Sequence, residues 1–358
     1  MKRRTFISAV GGAVAGASLS TARAEQLVAE KQAETGAMER NAQGIPLRVL
    51  GRTGEKIPIV GFPGLGLVHD DDKTCIAAVR SALETGVNYL DNAPAYGKTE
   101  CERKMGLALE GIDRDSYFLA CKTKMRDAKG CQEEMDRSMK LLKTDRFDLY
   151  QLHHLRQPAE AEQALGPGGA METILKAKEQ GKIKYIGFSA HTTRGALAAM
   201  KGFKFDTVMF PINFVEYFTL GFGKAVLELA REQGAAVLAI KPLSRGNWPA
   251  DMERTRKWWY RPIEDQHEMN LALRFTLSLP GVVAGIPPAW LDIAARAFEE
   301  AKSYTPITPE ETEEVRKLAA QCFSTFRKEE EQVAFRCPHS EPLYADSPYE
   351  DGCPGMMG

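Results

Sequence analysis

The chain has 358 residues, 44% of them hydrophobic and 27% charged, enough to build a large packed core. Its formal net charge of −1 and the lack of a basic block in the body exclude an electrostatic nucleic-acid binder. Length alone admits one large domain or two medium ones, and alpha/beta barrels commonly use roughly 250 residues as one unit.

Residues 1–24, MKRRTFISAVGGAVAGASLSTARA, read as a signal peptide. Arg3 and Arg4 followed by Thr5, Phe6 and Ile7 fit the twin-arginine export signal, and Ala22-Arg23-Ala24 is a small-x-small cleavage site. The Gly/Ala-rich middle is too short and too weakly apolar to span a bilayer, so stable membrane insertion is not expected. The expected partner at this end is the twin-arginine translocase and the expected location the periplasm. That route carries folded proteins with cofactor already bound.

Residues 25–45 read as a linker. Two short apolar runs around Gly51-Arg52-Thr53-Gly54 then predict a hairpin. After it, apolar runs and helical patterns alternate. The helices are predicted at 72–85, 99–109, 132–142, 170–180, 194–200, 223–233, 265–279 and 291–302, and the strands at IPIVGFP, VNYLD, YFLACK, FDLYQLHH, IKYIGFS, FDTVMFP, AAVLAIKP and GVVAGIP. Most of these strands are continuous apolar runs, as strands buried on both faces should be. Eight beta-alpha units in a row predict a (β/α)8 TIM barrel. The first beta-alpha turn, GFPGLGL, lacks the GxGxxG fingerprint of an open dinucleotide-binding sheet. One more helix is expected over 308–326, capped by Thr308 and Glu311, so that the barrel with its extra helix spans 46–327. Residues 328–358 read as an irregular tail.

Two long loops follow the fourth and seventh strands, at 155–169 and 244–264. The second carries Trp248, Trp258, Trp259 and Tyr260. Two readings stand for it: an exposed aromatic substrate wall, or a loop packed down through its own tryptophans. Of the seven cysteines, Cys75, Cys101, Cys121 and Cys131 fall in predicted helices and strands and read as buried small hydrophobes. Cys337 and Cys353 would be able to pair in an oxidising compartment. No CxxC pair exists, which argues against an iron–sulfur or zinc-ribbon site.

Barrel enzymes place their chemistry where strands end. The second strand ends in Asp91, with Tyr96 on the loop beyond; the third ends near Lys122; the fourth ends in His153 and His154. Neighbouring parallel strands lie about 4.8 Å apart, so these groups meet above the rim. Together they make a proton relay for a carbonyl. A phenol has a pKa of about 10, and an ammonium about 4 Å away lowers it by up to about 3 units before desolvation opposes the effect. Asp91 would hold Lys122, and His153 would polarise the carbonyl oxygen. A metal-dependent hydrolase or isomerase built on Asp91, His153, His154 and His191 is the rival reading. A barrel that keeps a nucleotide without turning it over is the other.

The chain resembles the aldo-keto reductase family over roughly residues 46–302. The residues that carry the resemblance are LGRTG (50–54), YLDNAPAYG (89–97), LACK (119–122), FDLYQLHH (147–154), GKIKYIGFS (181–189), INF (212–214) and KPLSRG (241–246), in family order. The resemblance implies a barrel that binds NADPH, with NADH possible, across its C-terminal rim and exchanges hydride with a small-molecule aldehyde or ketone. It implies Asp91, Tyr96, Lys122 and His153 as the catalytic set. Ser189, Asn213 and the run Lys241, Pro242, Leu243, Ser244, Arg245 and Gly246 are implied as cofactor contacts, with positive charge from Lys241 and Arg245 for a pyrophosphate. His154, Trp258, Trp259 and Tyr260 are expected on the substrate side. The pattern departs from the family at Ala190, Met209 and Ile240, where an asparagine, a glutamine and a stacking tyrosine are usual. No metal is expected.

Overall fold

In the computed structural model, which describes residues 38–335, eight parallel strands close into a barrel. The antiparallel hairpin comes first, as β1 (Leu47–Val49) and β2 (Lys56–Pro58), with Leu47 opposite Pro58. The barrel strands follow as β3 (Phe62–Pro63), β4 (Tyr89–Asp91), β5 (Phe118–Thr123), β6 (Phe147–Leu155), β7 (Ile183–Ala190), β8 (Thr207–Pro211), β9 (Ala236–Ile240) and β10 (Val282–Ile286). They pair in sequence order, and the ring is closed between the chain just before β3 and β10, where Gly61 donates to the Gly285 carbonyl and Gly285 to that of Ile59. A helix follows each barrel strand, so the eight-unit expectation holds.

The hairpin plugs the N-terminal end of the barrel. Leu50 and Ile57 pack with Tyr89, Phe118, Leu149 and Leu238 in an inner apolar cluster, while a larger cluster fills the space between strands and helices. Burying apolar area of this kind is the main driving term for the fold. The helices start where short polar side chains satisfy the first free amides: Asp71 accepts from Thr74, Asp127 from Gly130, Thr192 from Gly195 and Asp265 from Glu268.

Three expectations need correction. The loop 155–169 contains a helix, Pro158–Leu165. Its proline and the glycine after it are start and stop signals rather than loop markers, and Gln157 with Glu160 forms a capping box. The helix expected over 308–326 ends at Ala319, although its Thr308–Glu311 capping box is present. The tail expected from Lys328 instead begins within a second helix, Arg327–Phe335. Glu329 and Val333 on it are buried, as is Phe326 just before it. The buried glutamate, paired with Arg156 of the barrel, breaks the apolar period that would have announced the helix. The signal peptide, and Cys337 and Cys353, lie outside the described residues. Cys75, Cys101, Cys121 and Cys131 are buried and free, as expected.

One carboxyl in the helix layer sets a pH dependence of stability. Glu102, on helix Glu100–Ala108, is fully buried against β5, where the Cys121 thiol lies 3.6 Å from it and the Ser138 hydroxyl and the charge of Arg137 offset its burial only in part. Burial pushes its pKa up to about 7. A carboxyl raised above its unfolded value adds stability that is complete below about pH 4.5 and is lost as pH rises through 7. Glu102→Gln removes that loss. At pH 8 it should raise the free energy of unfolding by roughly 2–3 kcal/mol, with little difference from wild type at pH 4.5. Urea titrations at the two pH values check this; equal gains at both would tie the effect to packing instead.

Candidate active site

The C-terminal rim of the barrel opens into a cleft. Asp91, Tyr96, His153, Ser189, His191 and Lys241 line it together with Trp258, Trp259 and Tyr260. Lys122 lies directly beneath, fully buried.

Asp91 ends β4 and holds two of the other groups. Its Oδ1 accepts from Lys122 Nζ at 2.5 Å, and its Oδ2 accepts from the Tyr96 hydroxyl at 3.1 Å. Lys122 also donates to the Asn92 carbonyl at 2.9 Å, and its Nζ lies 4.9 Å from the centre of the Tyr96 ring. The turn after β4 is tight. Tyr96 N–H bonds back to the Ala93 carbonyl, and Gly97, Lys98 and Thr99 follow with φ of 58°, 53° and 77°. That left-handed run swings the chain into helix Glu100–Ala108 and leaves Tyr96 facing the cleft.

The end of β6 is irregular, and the irregularity separates two adjacent histidines. The pairing of β6 with β7 shifts register between Leu152 and Leu155, and His154 has φ of 60°. His153 meets Tyr96 edge to face, with ring centres 5.6 Å apart. His154 turns instead to His191, 4.2 Å away, and its amide donates to Ser189 Oγ at 2.7 Å. Burial, followed by the charge of nearby lysines, holds His153 and His154 well below the usual imidazole range. Burial does the same for His191, reinforced by its histidine and lysine neighbours. His153 is therefore a neutral ring at the cleft wall, able to donate a hydrogen bond without carrying charge.

Of the other predicted positions, Ser189 and Lys241 reach the cleft, as do Trp258, Trp259 and Tyr260. The aromatic loop combines its two readings: these three side chains are buried, not exposed, yet they form one wall of the cleft. His154, Asn213 and Pro242–Gly246 are not among the residues lining it. Asn213 caps helix Phe214–Leu220 through its Oδ1, while its Nδ2 is buried without a hydrogen-bond partner among the described residues. Arg245 is paired with Glu268, and Ser244 Oγ accepts from the Gly246 amide at 3.1 Å. Met209 and Ile240 line it as well, and Pro63, Leu65, Ile286, Pro287 and Ala289 complete the walls. No motif marked these last five, because each is an ordinary apolar residue at a strand end or on the loop after it.

The segment after Ala319 packs against the aromatic wall of the cleft, a placement that the sequence did not announce. The Phe323 carbonyl accepts from the Asn247 amide at 2.8 Å, and the Thr325 amide donates to Glu216 at 2.6 Å. Phe326 stacks on Phe222 and approaches His191 and Trp259. At Gly246 the two segments approach closely: φ is 78°, and a Cβ there would meet the Phe323 oxygen at 2.1 Å. Gly246→Ala should therefore cost about 1–3 kcal/mol and open this contact, seen as faster hydrogen exchange at the Asn247 amide. Unchanged exchange there would mean that the segment is not anchored at Gly246.

The metal alternative changes its members. Asp91 is committed to Lys122 and Tyr96, so the histidines that remain group with Glu329: His154, His191 and Glu329 have ligand atoms within 4.8 Å of one another. Arg156 Nε already pairs with Glu329 at 2.5 Å, and His191 feels the charge of Lys241 and Arg156. A divalent cation there would face the fixed positive charge of Arg156, which opposes its binding.

Residues 64–320 match the profile of the Aldo/keto reductase family. The chain belongs to that family. Among curated aldo/keto reductase relatives, an Arabidopsis thaliana protein named L-galactose dehydrogenase is 30% identical over 40% of this chain and 48% of its own length. Aldo-keto reductase YhdN of Bacillus subtilis is 30% identical over 49% of this chain and 54% of its own. The chain thus spans about half the length of the curated relatives it matches. The holo form of aldo-keto reductase AKR11C1 from Bacillus halodurans superposes with a TM-score of 0.61 at 24% identity, over 76% of this chain and 96% of that one. An aldo-keto reductase from Klebsiella pneumoniae, solved in complex with NADPH, gives 0.58 at 20% identity, over 76% and 94%. The family match ends at residue 320, so the segment from Phe323 onward lies outside it.

Proposed function

We propose that the protein is an NAD(P)(H)-dependent oxidoreductase that interconverts a carbonyl and an alcohol, with Tyr96 as the proton donor. One observation carries the reading. A buried carboxylate, Asp91, holds an ammonium and a phenol at the floor of a cleft whose wall presents a neutral imidazole, His153. That set suits proton delivery to an oxygen that gains charge as a carbonyl is reduced.

The donor chemistry suits a nicotinamide cofactor. Ser189 lines the cleft, and Asn213, outside its lining, has a buried Nδ2 without a hydrogen-bond partner among the described residues. These two, with Lys241 and the turn Pro242, Leu243, Ser244, Arg245 and Gly246, would hold it. The bound dinucleotide supplies or accepts hydride. The chain's own residues do the rest. His153 orients the carbonyl oxygen by a hydrogen bond. Tyr96 gives that oxygen a proton, Lys122 stabilises the phenolate left behind, and Asp91 keeps Lys122 in position. Trp258, Trp259 and Tyr260 shield the cleft from water and present flat apolar faces to the substrate. NADPH is the first candidate, in keeping with the Klebsiella relative's bound cofactor, and NADH the second. Sugar-type carbonyls belong in the substrate panel because of the Arabidopsis relative's name.

Export in folded form by the twin-arginine translocase belongs to the same reading, motivated by Arg3, Arg4 and the Ala22-Arg23-Ala24 site. Cell fractionation of wild type beside Arg3→Lys/Arg4→Lys tests it; equal periplasmic amounts would remove that part. For the chemistry, the purified protein is assayed for oxidation of NADPH and NADH against aldehydes, ketones and aldoses. No turnover on any class, with dinucleotide bound, would leave a nucleotide-binding barrel instead.

A further inference from the structure

Lys241 is a buried amine that the proposed proton relay does not use. It follows β9 with φ of 59° and lines the same cleft as Tyr96 and His153. Its Nζ sits against two adjoining aromatic rings, 5.1 Å from the centre of Trp259 and 5.4 Å from that of Phe326, whose own centres are 6.0 Å apart. No hydrogen bond or ion pair ties it down among the described residues. The acids nearest in its field are committed elsewhere: Glu216 to the Ser324 hydroxyl and the Thr325 amide, Glu329 to Arg156. His154 and His191 face the same space as neutral rings. One of the two adjoining rings, Phe326, comes from the segment outside the family match.

We propose that Lys241 is a nucleophilic amine that forms an imine with aldehydes or ketones admitted to the cleft. The inference rests on the reading above in requiring that carbonyl compounds enter, and it concerns the protein without dinucleotide, because Lys241 is among the residues that would hold that cofactor. Desolvation against aromatic rings is a recognised way to activate a lysine as a nucleophile. Burial pushes Lys241 down to about 7, although Glu329 and Glu216 pull the other way. An ordinary lysine, with a pKa of about 10.4, keeps fewer than about one amine in a thousand neutral at pH 7. In the step, the Nζ lone pair forms a bond to the carbonyl carbon as the C=O π bond breaks. A proton passes from nitrogen to oxygen to give a carbinolamine. Water then leaves and a C=N bond forms, with no change of oxidation state.

The test incubates the full-length protein at pH 7 with benzaldehyde and sodium cyanoborohydride, without dinucleotide, and maps the benzylated lysines by mass spectrometry. Lys241 should be labelled at least about tenfold faster than the exposed Lys129, and Lys241→Arg should lose that label while melting normally. Phe326→Ala admits water to the amine. It should lower labelling at pH 7 by about tenfold and move the pH midpoint of labelling upward. Labelling spread over exposed lysines with Lys241 untouched overturns the inference, as does one pH profile shared by Lys241 and Lys129. NADPH turnover, measured on the same preparation, is a separate readout. Label without turnover keeps the imine and removes the oxidoreductase reading; turnover without label does the reverse.

Discussion

Tyr96→Phe should lower kcat for carbonyl reduction by about a thousandfold and leave the dissociation constant for NADPH within about twofold of wild type. The change deletes one oxygen. The ring, its edge-to-face contact with His153 and the cation above it all remain available to phenylalanine. Asp91 loses one hydrogen bond of 3.1 Å but keeps Lys122 at 2.5 Å, so the ion pair beneath the cleft survives. What disappears is the only group of the four that can hand over a proton and be left as a stabilised anion. His153 is not a substitute, because burial keeps its ring neutral and an uncharged imidazole is a weak acid. Single-turnover rates and fluorescence titration with NADPH separate the two effects. A kcat within threefold of wild type would remove Tyr96 from its role. Equal loss of NADPH binding would point instead to collapse of the cleft.

The residues that made the site legible all sit at strand ends, where spacing survives without any knowledge of contacts. YLDNAPAYG, LACK and LHH each finish an apolar run, and the barrel geometry brings consecutive ends together. What spacing could not give is direction. His153 and His154 are neighbours in sequence, yet with a register shift and one left-handed residue they meet different partners, Tyr96 and His191. The aromatic loop shows the same limit. Its composition announced a wall, but whether those rings lie in water or in the protein depends on partners such as His69, which stacks on Trp290 at 3.9 Å and meets Trp258 edge-on.

The helix Arg327–Phe335 marks where pattern reading fails for a physical reason. A buried glutamate in an apolar face reads as a solvent residue unless its partner is known, and Arg156 lies more than a hundred residues earlier. The cost of burying such a charge is recovered only through that distant pair. The same holds for Lys241. In sequence it reads as a phosphate contact, and only the two adjoining rings against it reveal a desolvated amine.

Lys122→Met should destabilise the protein by about 3–5 kcal/mol and abolish turnover, and the two losses can be pulled apart. Lys122 and Asp91 are both almost completely buried, so removing the ammonium strands a carboxylate among apolar strands. The backbone acceptor on Asn92 loses its donor as well. A second change, Asp91→Leu in the same chain, removes the stranded charge. A buried ion pair replaced by apolar residues of similar size is often close to neutral in stability, so the double variant should recover at least half of the deficit. Turnover should stay lost, because neither methionine nor leucine can stabilise the phenolate of Tyr96. Urea unfolding of the wild type, both single variants and the double variant gives the coupling directly. Additive losses, with no recovery in the double variant, would show that the pair is not coupled in the folded state. Recovery of turnover together with stability would mean that the pair serves packing alone, and the chemistry would have to be sought elsewhere along the rim.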